Sequence, residues 1–138
     1  MKKILILITG ILMISTVANA CGGISVKGKS GASYCLSKHK MNWYSAYAWC
    51  KDQGMNLIEA QVVCGVSGVS NGSCSELSFS SDEKNKITSN GVKLEYTWMN
   101  NSLSNGYATI MNLTNGGLFP VQNSSMTGRW CPNYSLCY

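Results

Sequence analysis

The residues able to do chemistry in this sequence are few: seven cysteines, one histidine and six carboxylates in 138 residues. The cysteines stand at 21, 35, 50, 64, 74, 131 and 137. Structural zinc uses C-x-x-C pairs or histidines at fixed spacing; this sequence has no C-x-x-C, and His39 is its only histidine. The alternative chemistry is oxidation to disulfides, which is the expected use of dense cysteine outside the cytoplasm. Cys64 and Cys74 close a ten-residue loop at small entropic cost and are expected to pair. An odd total leaves two solutions. Either one thiol stays free, or Cys21 is consumed by lipidation and six remain to pair.

Nucleophilic and acid–base catalysis have little to work with. A cysteine or serine nucleophile needs a base that is itself oriented by a third group. His39 lies in Lys38-His39-Lys40, a solvated basic stretch with no evident orienting partner. Asp52, Glu59, Glu76, Asp82, Glu83 and Glu95 form no paired motif, and no phosphate-cradling glycine loop is present. The expectation is a non-enzyme without a cofactor. Calcium requires six to eight oxygens, several from carboxylates. Beyond Glu95 there is no Asp or Glu, so no metal site is expected there.

The start of the chain sets the compartment. Met1-Lys2-Lys3 is a short basic segment, Ile4 to Val17 is nearly all apolar, and Ala18-Asn19-Ala20 has small residues at −3 and −1 before Cys21. This three-part pattern reads as a signal peptide over residues 1–20, cleaved near Ala20. The product is secreted, periplasmic or at the cell surface. A membrane association follows only if Cys21 carries a lipid. Cleavage leaves 118 residues, one domain with a modest core. Loss of Lys2 and Lys3 lowers the net charge from +5 to +3. With no arginine cluster or RNA-binding motif, nucleic acid is excluded as the expected partner.

The elements that must position these groups are legible in part. Asn42 is a good N-cap and Gly54 a good residue just past a helix end. Between them Trp43, Ala46, Tyr47 and Cys50 share one helical face, which turns Cys50 toward the core. Met55 to Ile58 reads as a short strand. Residues 61–78, rich in Gly and Ser, read as a loop insertion that Cys64 and Cys74 staple. Ser80-x-x-Glu83 is a capping box for a short polar helix ending near Gly91. Tyr96–Met99, Tyr107–Met111 and Gly117–Phe119 read as strands, with Asn-Gly and Gly-Gly turns between. Helices followed by an antiparallel sheet make an α+β domain.

The run Tyr34-Cys35, then Met41-Asn42-Trp43-Tyr44-Ser45-Ala46-Tyr47-Ala48-Trp49-Cys50-Lys51-Asp52-Gln53-Gly54-Met55-Asn56-Leu57-Ile58, resembles the C-type lectin-like domain. Shared features are a cysteine and strand, a tryptophan at the helix start, an alanine three on, a cysteine at the helix end, and a glycine before a short strand. The resemblance extends in order over most of 21–138. It implies a disulfide-stabilised α+β fold of two helices packed on small antiparallel sheets, with disulfides Cys21–Cys35 and Cys50–Cys137. The family's second core disulfide lacks its middle-strand cysteine, so Cys131 is either unpaired or an alternative partner of Cys64 or Cys74. Glu-Pro-Asn, Gln-Pro-Asp and Trp-Asn-Asp calcium–sugar motifs are absent. With the signal peptide, the resemblance implies an exported, calcium-independent recognition or adhesion module for a protein or glycan at a cell surface; the short Lys2-Lys3 start points to a bacterial origin. Asn100, Asn101, Asn105 and Tyr107, in the stretch matching the family's long loop, are the expected ligand-binding residues, with Trp130. The alternative is a disulfide-linked structural subunit of a cell-surface or pilus-like assembly, forming a covalent dimer through its odd cysteine.

Overall fold

The computed structural model describes residues 21–65, 72–100, 107–122 and 132–138. The chain is α+β, built on one six-stranded sheet. Its strands are β1 (Ile24–Lys27), β2 (Ser33–Leu36), β3 (Tyr96–Met99), β4 (Tyr107–Asn112), β5 (Leu118–Gln122) and β6 (Tyr134–Cys137). Across the sheet they run β1-β2-β6-β3-β4-β5.

Two features correct the expected arrangement of helices followed by small antiparallel sheets. A hairpin, β1–β2, precedes the first helix. The sheet is also mixed: β3 and β6 pair in parallel, Thr97 opposite Tyr134 and Trp98 opposite Ser135, while the other neighbours are antiparallel. A parallel pair needs a long connection, and the chain supplies it by completing β4 and β5 before it returns as β6. All four residues of β6 are buried, as a central strand covered on both faces requires.

The sheet's two faces make two core clusters because side chains alternate along a strand. On β2, Tyr34 and Leu36 point to one side and Cys35 to the other; on β3, Met99 and Trp98 divide likewise. The smaller cluster, with Cys35, Ala46, Cys50, Leu57, Trp98 and Cys137, lies under α1 (Trp43–Asp52). The larger, with Ile58, Leu77, Phe79, Ile87, Met111 and Leu136 among others, lies under α2 (Ser81–Ser89) and the turns before it.

Both helices start at the expected caps. Asn42 accepts the Ser45 N–H at 2.8 Å, and Ser80 accepts the Glu83 N–H at 3.3 Å. Only this half of the expected capping box is present; the Glu83 carboxylate takes the N–H of Lys27 on β1 instead. Past the helix ends, Gly54 and Gly91 have φ of 71° and 78°, the left-handed conformation that glycine adopts without steric cost.

The stretch expected to be a strand at 55–58 makes a single bridge, Leu57 to Cys137. It is flanked by reciprocal Asn56–Tyr138 backbone bonds of 2.9 and 2.8 Å. The expected 61–78 loop contains short turns where it is described. A π-turn spans Ala60–Cys64, a 3₁₀ turn spans Ser75–Leu77, and Cys74 and Leu77 are fully buried. Ser73 bridges to Gly117, and Cys74 N–H donates to Gly116 O at 2.8 Å. Gly116 permits that approach: its φ is 73°, and a Cβ there would meet the Cys74 carbonyl.

Three disulfides join Cys21 to Cys35, Cys50 to Cys137 and Cys64 to Cys74. Cys21 Sγ is thus bonded, and a lipid thioether has no sulfur to use there. The three bonds take six of the seven cysteines. Cys131 lies outside the described residues, and neither Cys64 nor Cys74 is left to partner it. Among the described residues, no helix is long and apolar enough to cross a membrane.

Candidate recognition surface

The helix α1 approaches the sheet closely. Its buried residues are the small Ala46 and Cys50. Cys50 is bonded to Cys137 on β6, and Ser135 Oγ, also on β6, donates to the Ala46 carbonyl at 3.0 Å. Of the aromatic residues of α1, Trp43 and Trp49 are half-buried against the cluster beneath the helix, and Tyr44 and Tyr47 face outward. Tyr47, which shares the apolar periodicity of Ala46 and Cys50, is 36% exposed, and Tyr44 is 55% exposed.

These aromatics are ordered by one another. Trp43 and Tyr47 stack with centroids 5.5 Å apart and planes 19° apart, and Tyr44 meets Trp43 edge-on at 5.2 Å. One turn further, Lys51 Nζ lies 5.5 Å from the Tyr47 ring centre and donates to Asn56 Oδ1 at 2.6 Å. Trp43, Tyr47 and Lys51 are four residues apart, the spacing that puts side chains in contact along a helix. Edge-to-face, stacked and cation–π contacts each stabilise such groupings by about 0.5–1.5 kcal/mol. The column therefore presents ring edges, phenol hydroxyls and an ammonium in a fixed array.

Two indoles fasten the column's upper end to the sheet. Trp43 Nε1 donates to Met99 O at 3.0 Å, and Trp98 Nε1, from β3, donates back to Met41 O at 2.8 Å. The exchange ties the start of α1 to the end of β3. Trp98 is fully buried, whereas Trp43 is half-buried.

Asn100 follows β3 directly. Its N–H donates to Ile58 O at 2.6 Å, and its side-chain amide donates to Glu59 Oε1 at 3.4 Å. Tyr138 donates its hydroxyl to the other oxygen of Glu59 at 3.3 Å. Burial, then the charge and hydrogen bond of Glu59, push the Tyr138 phenol above its ordinary value. Asn100 is half-buried and bonds within the fold through both its N–H and its side-chain amide. Asn101, Asn105 and Trp130 lie outside the described residues. Tyr107 opens β4 opposite Gln122.

Four of the six carboxylates, those of Glu59, Glu76, Glu83 and Glu95, accept hydrogen bonds from the fold, while Asp52 and Asp82 are exposed. Glu76 accepts from Ser30 N at 2.9 Å and from the Tyr34 hydroxyl at 3.0 Å. Burial pushes Glu76 up, but the bonds from Ser30 and Tyr34 outweigh it, and the carboxyl lies below its ordinary value. Burial, with the Glu76 bond and charge, pushes Tyr34 up to about 12. Glu95 pairs with Lys40, whose bond and charge hold the carboxyl below its ordinary range. His39 is exposed. Among the described residues, no three of His, Cys, Asp and Glu come close enough together to hold a metal ion.

Sequence reasoning missed Tyr44 and the outward placement of Tyr47. A signal was present: four aromatics at 43, 44, 47 and 49 in a ten-residue helix surround more of its circumference than one buried stripe can cover. A comparison with protein-family models and with curated proteins finds no match for this chain.

Proposed function

We propose that this chain is an exported recognition module of the C-type lectin-like kind, which binds a protein or glycan at a cell surface without calcium and without catalysing a reaction. The observation that carries the reading is the aromatic column on α1, in which Tyr44 and Tyr47 stand in solvent against a half-buried Trp43 on a helix bolted to the sheet. Tyrosine and tryptophan give contact area at low entropic cost, and prior ordering lowers that cost further. Further support comes from the disulfides Cys21–Cys35 and Cys50–Cys137, the pairs the family resemblance implies.

The test is binding of the oxidised protein to arrayed glycans and to surface proteins of intact cells, with wild type and Tyr44→Ala/Tyr47→Ala compared. Removing two central aromatic contacts is expected to weaken binding by about 10- to 100-fold with the fold intact by near-ultraviolet circular dichroism. Equal binding by the two proteins would end the assignment of this face. A chelator is expected to leave both binding and the melting temperature unchanged, and a drop of several degrees would refute calcium independence.

A second reading, a disulfide-linked structural subunit of a surface or pilus-like assembly, is favoured by the cysteine count: three bonds take every cysteine but Cys131. A covalent dimer on a non-reducing gel that disappears with Cys131→Ser supports it. A strict monomer with one titratable thiol removes it.

A further inference from the structure

Tyr96 and Phe119 stand apart from the aromatic column of α1, on β3 and β5, and are 36% and 41% exposed. Their ring centres are 5.9 Å apart with planes at 88°. Both project from the α1 side of the sheet, since Tyr96 is two residues from Trp98 and Phe119 pairs with Ile110. On β4, between these strands, Asn112 projects to the same side, directly opposite Tyr96. Its neighbour on β5 is Gly117, whose carbonyl takes the Asn112 N–H at 2.8 Å. Gly117 has no side chain, and the Phe119 ring leans into the space: a Cβ there would meet Phe119 Cε2 at 3.3 Å. The Asn112 amide is therefore flanked by an exposed ring on each side.

Asn112-Leu113-Thr114 is the Asn-x-Ser/Thr triplet that accepts N-linked saccharides on exported proteins. Oδ1 of Asn112 accepts the Thr114 N–H at 2.7 Å, which fixes the side chain, and Thr114 is exposed. Among the described residues, Asn112 Nδ2 has no hydrogen-bond partner. The other such triplets differ. Asn100 commits its Nδ2 to Glu59. In Asn133-Tyr134-Ser135 the serine hydroxyl is buried and bonded to Ala46 O. Asn71 and Asn123 lie outside the described residues. We infer that Asn112 carries an N-linked saccharide whose first sugar covers the Tyr96–Phe119 pair. The donor is a lipid diphosphate-linked saccharide. Nδ2 forms a bond to the anomeric carbon, and the bond from that carbon to the diphosphate oxygen breaks. The lipid diphosphate leaves with the electron pair, and the displaced Nδ2 proton passes to a base of the transferase. Oδ1 keeps its bond to Thr114. The C–H groups on the face of a pyranose ring then meet the negative faces of the two aromatic rings. This site rests on the reading of the chain as exported and is independent of the recognition reading of α1.

The experiment is mass spectrometry of the chain recovered from its native source, with electron-transfer fragmentation of the tryptic peptide 94–129. The expected result is a saccharide mass on Asn112 that is lost in Thr114→Ala and retained in Thr114→Ser. In nuclear magnetic resonance spectra of the same material, protons of the first sugar are expected to contact the Tyr96 or Phe119 ring and to shift upfield. Phe119→Ala should reduce that shift. Bare Asn112 on a chain that begins at Cys21 overturns the site and leaves the exported reading standing. A bare chain that still carries residues 1–20 overturns both together. A saccharide on Asn112 whose protons touch neither ring overturns the cover.

Discussion

The two α-helices are nearly equal in length and lie over opposite faces of the same sheet, yet they are held in opposite ways. α1 is attached covalently through Cys50 and fully buries only small residues; Trp43 and Trp49 pack half-buried at its sides, and Tyr44 and Tyr47 stand in solvent. α2 is attached by one buried isoleucine and by polar bonds from Glu83 and Lys86, and its outer side is plain. A helix secured by a bond needs only part of its aromatic set for packing, here Trp43 and Trp49, and leaves Tyr44 and Tyr47 outside. Tyr44 and Tyr47 thereby form an exposed apolar surface. A helix secured by packing and hydrogen bonds has to turn its best groups inward.

The contrast can be broken most severely at Cys50. Its bond to Cys137 spans 87 residues of sequence, and in the chain-entropy account its loss costs about 4–5 kcal/mol, comparable to the whole stability of a small domain. Cys50→Ala is expected to abolish folding under oxidising conditions. Secretion at normal yield with an unchanged melt would show that packing alone holds α1. On the other face, Ile87→Ala should cost about 2–4 kcal/mol, measured by urea unfolding. A cost below about 1 kcal/mol would mean that the polar bonds, not the core contact, hold α2.

A smaller effect separates the faces by pH. Glu76, below its ordinary value of 4.5, stabilises the fold above that pH, and the contribution is lost as pH falls through the lower folded value. Tyr34 works in the other direction. Its contribution is present below 10.0 and disappears as pH rises toward about 12. Glu76→Gln should cost about 1.5 kcal/mol, the low end of the range for bonds to a charged group because the carboxylate is partly solvated. Its melting temperature should also fall less steeply than wild type below pH 4.5. Parallel slopes in the two proteins would assign the acid sensitivity elsewhere. The smallest effect belongs to α1: Tyr44→Ser should change stability by less than about 0.5 kcal/mol while weakening ligand binding. A large loss of stability would make Tyr44 a packing residue and erase the contrast.

Local features were legible in the sequence where one side chain decides the outcome. Asn42, Gly54, Ser80 and Gly91 mark the helix ends because each satisfies or turns a specific backbone group. Strands at 96–99 and 107–112 followed from β-branched and aromatic content. The parallel seat of β6 did not, because Tyr134–Cys137 is four residues long and its neighbours are set by distant pairing. The orientation of Tyr47 was equally hidden. Periodicity identifies a face, but how near that face lies to the sheet depends on Ser135 and Cys137, some ninety residues later in sequence. Asn100 stands out in the sequence for its amide and its place in the stretch matching the family's long loop; its bond to Glu59, distant in sequence, was not legible there.

The position of the two disulfides nearest the ends has a mechanical meaning. Cys35 and Cys137 are register partners on adjacent strands; one is bonded to Cys21 and the other to Cys50. A pull between residues 21 and 138 passes from Cys21 through sulfur to Cys35, crosses one strand pair to Cys137, and leaves at Tyr138. Neither helix lies on that short path, and neither do β3, β4 and β5. A ligand gripping α1 would load the Cys50–Cys137 bond directly, so tension between α1 and either end runs largely through covalent sulfur bridges, with the strand ladder bearing it at only one crossing.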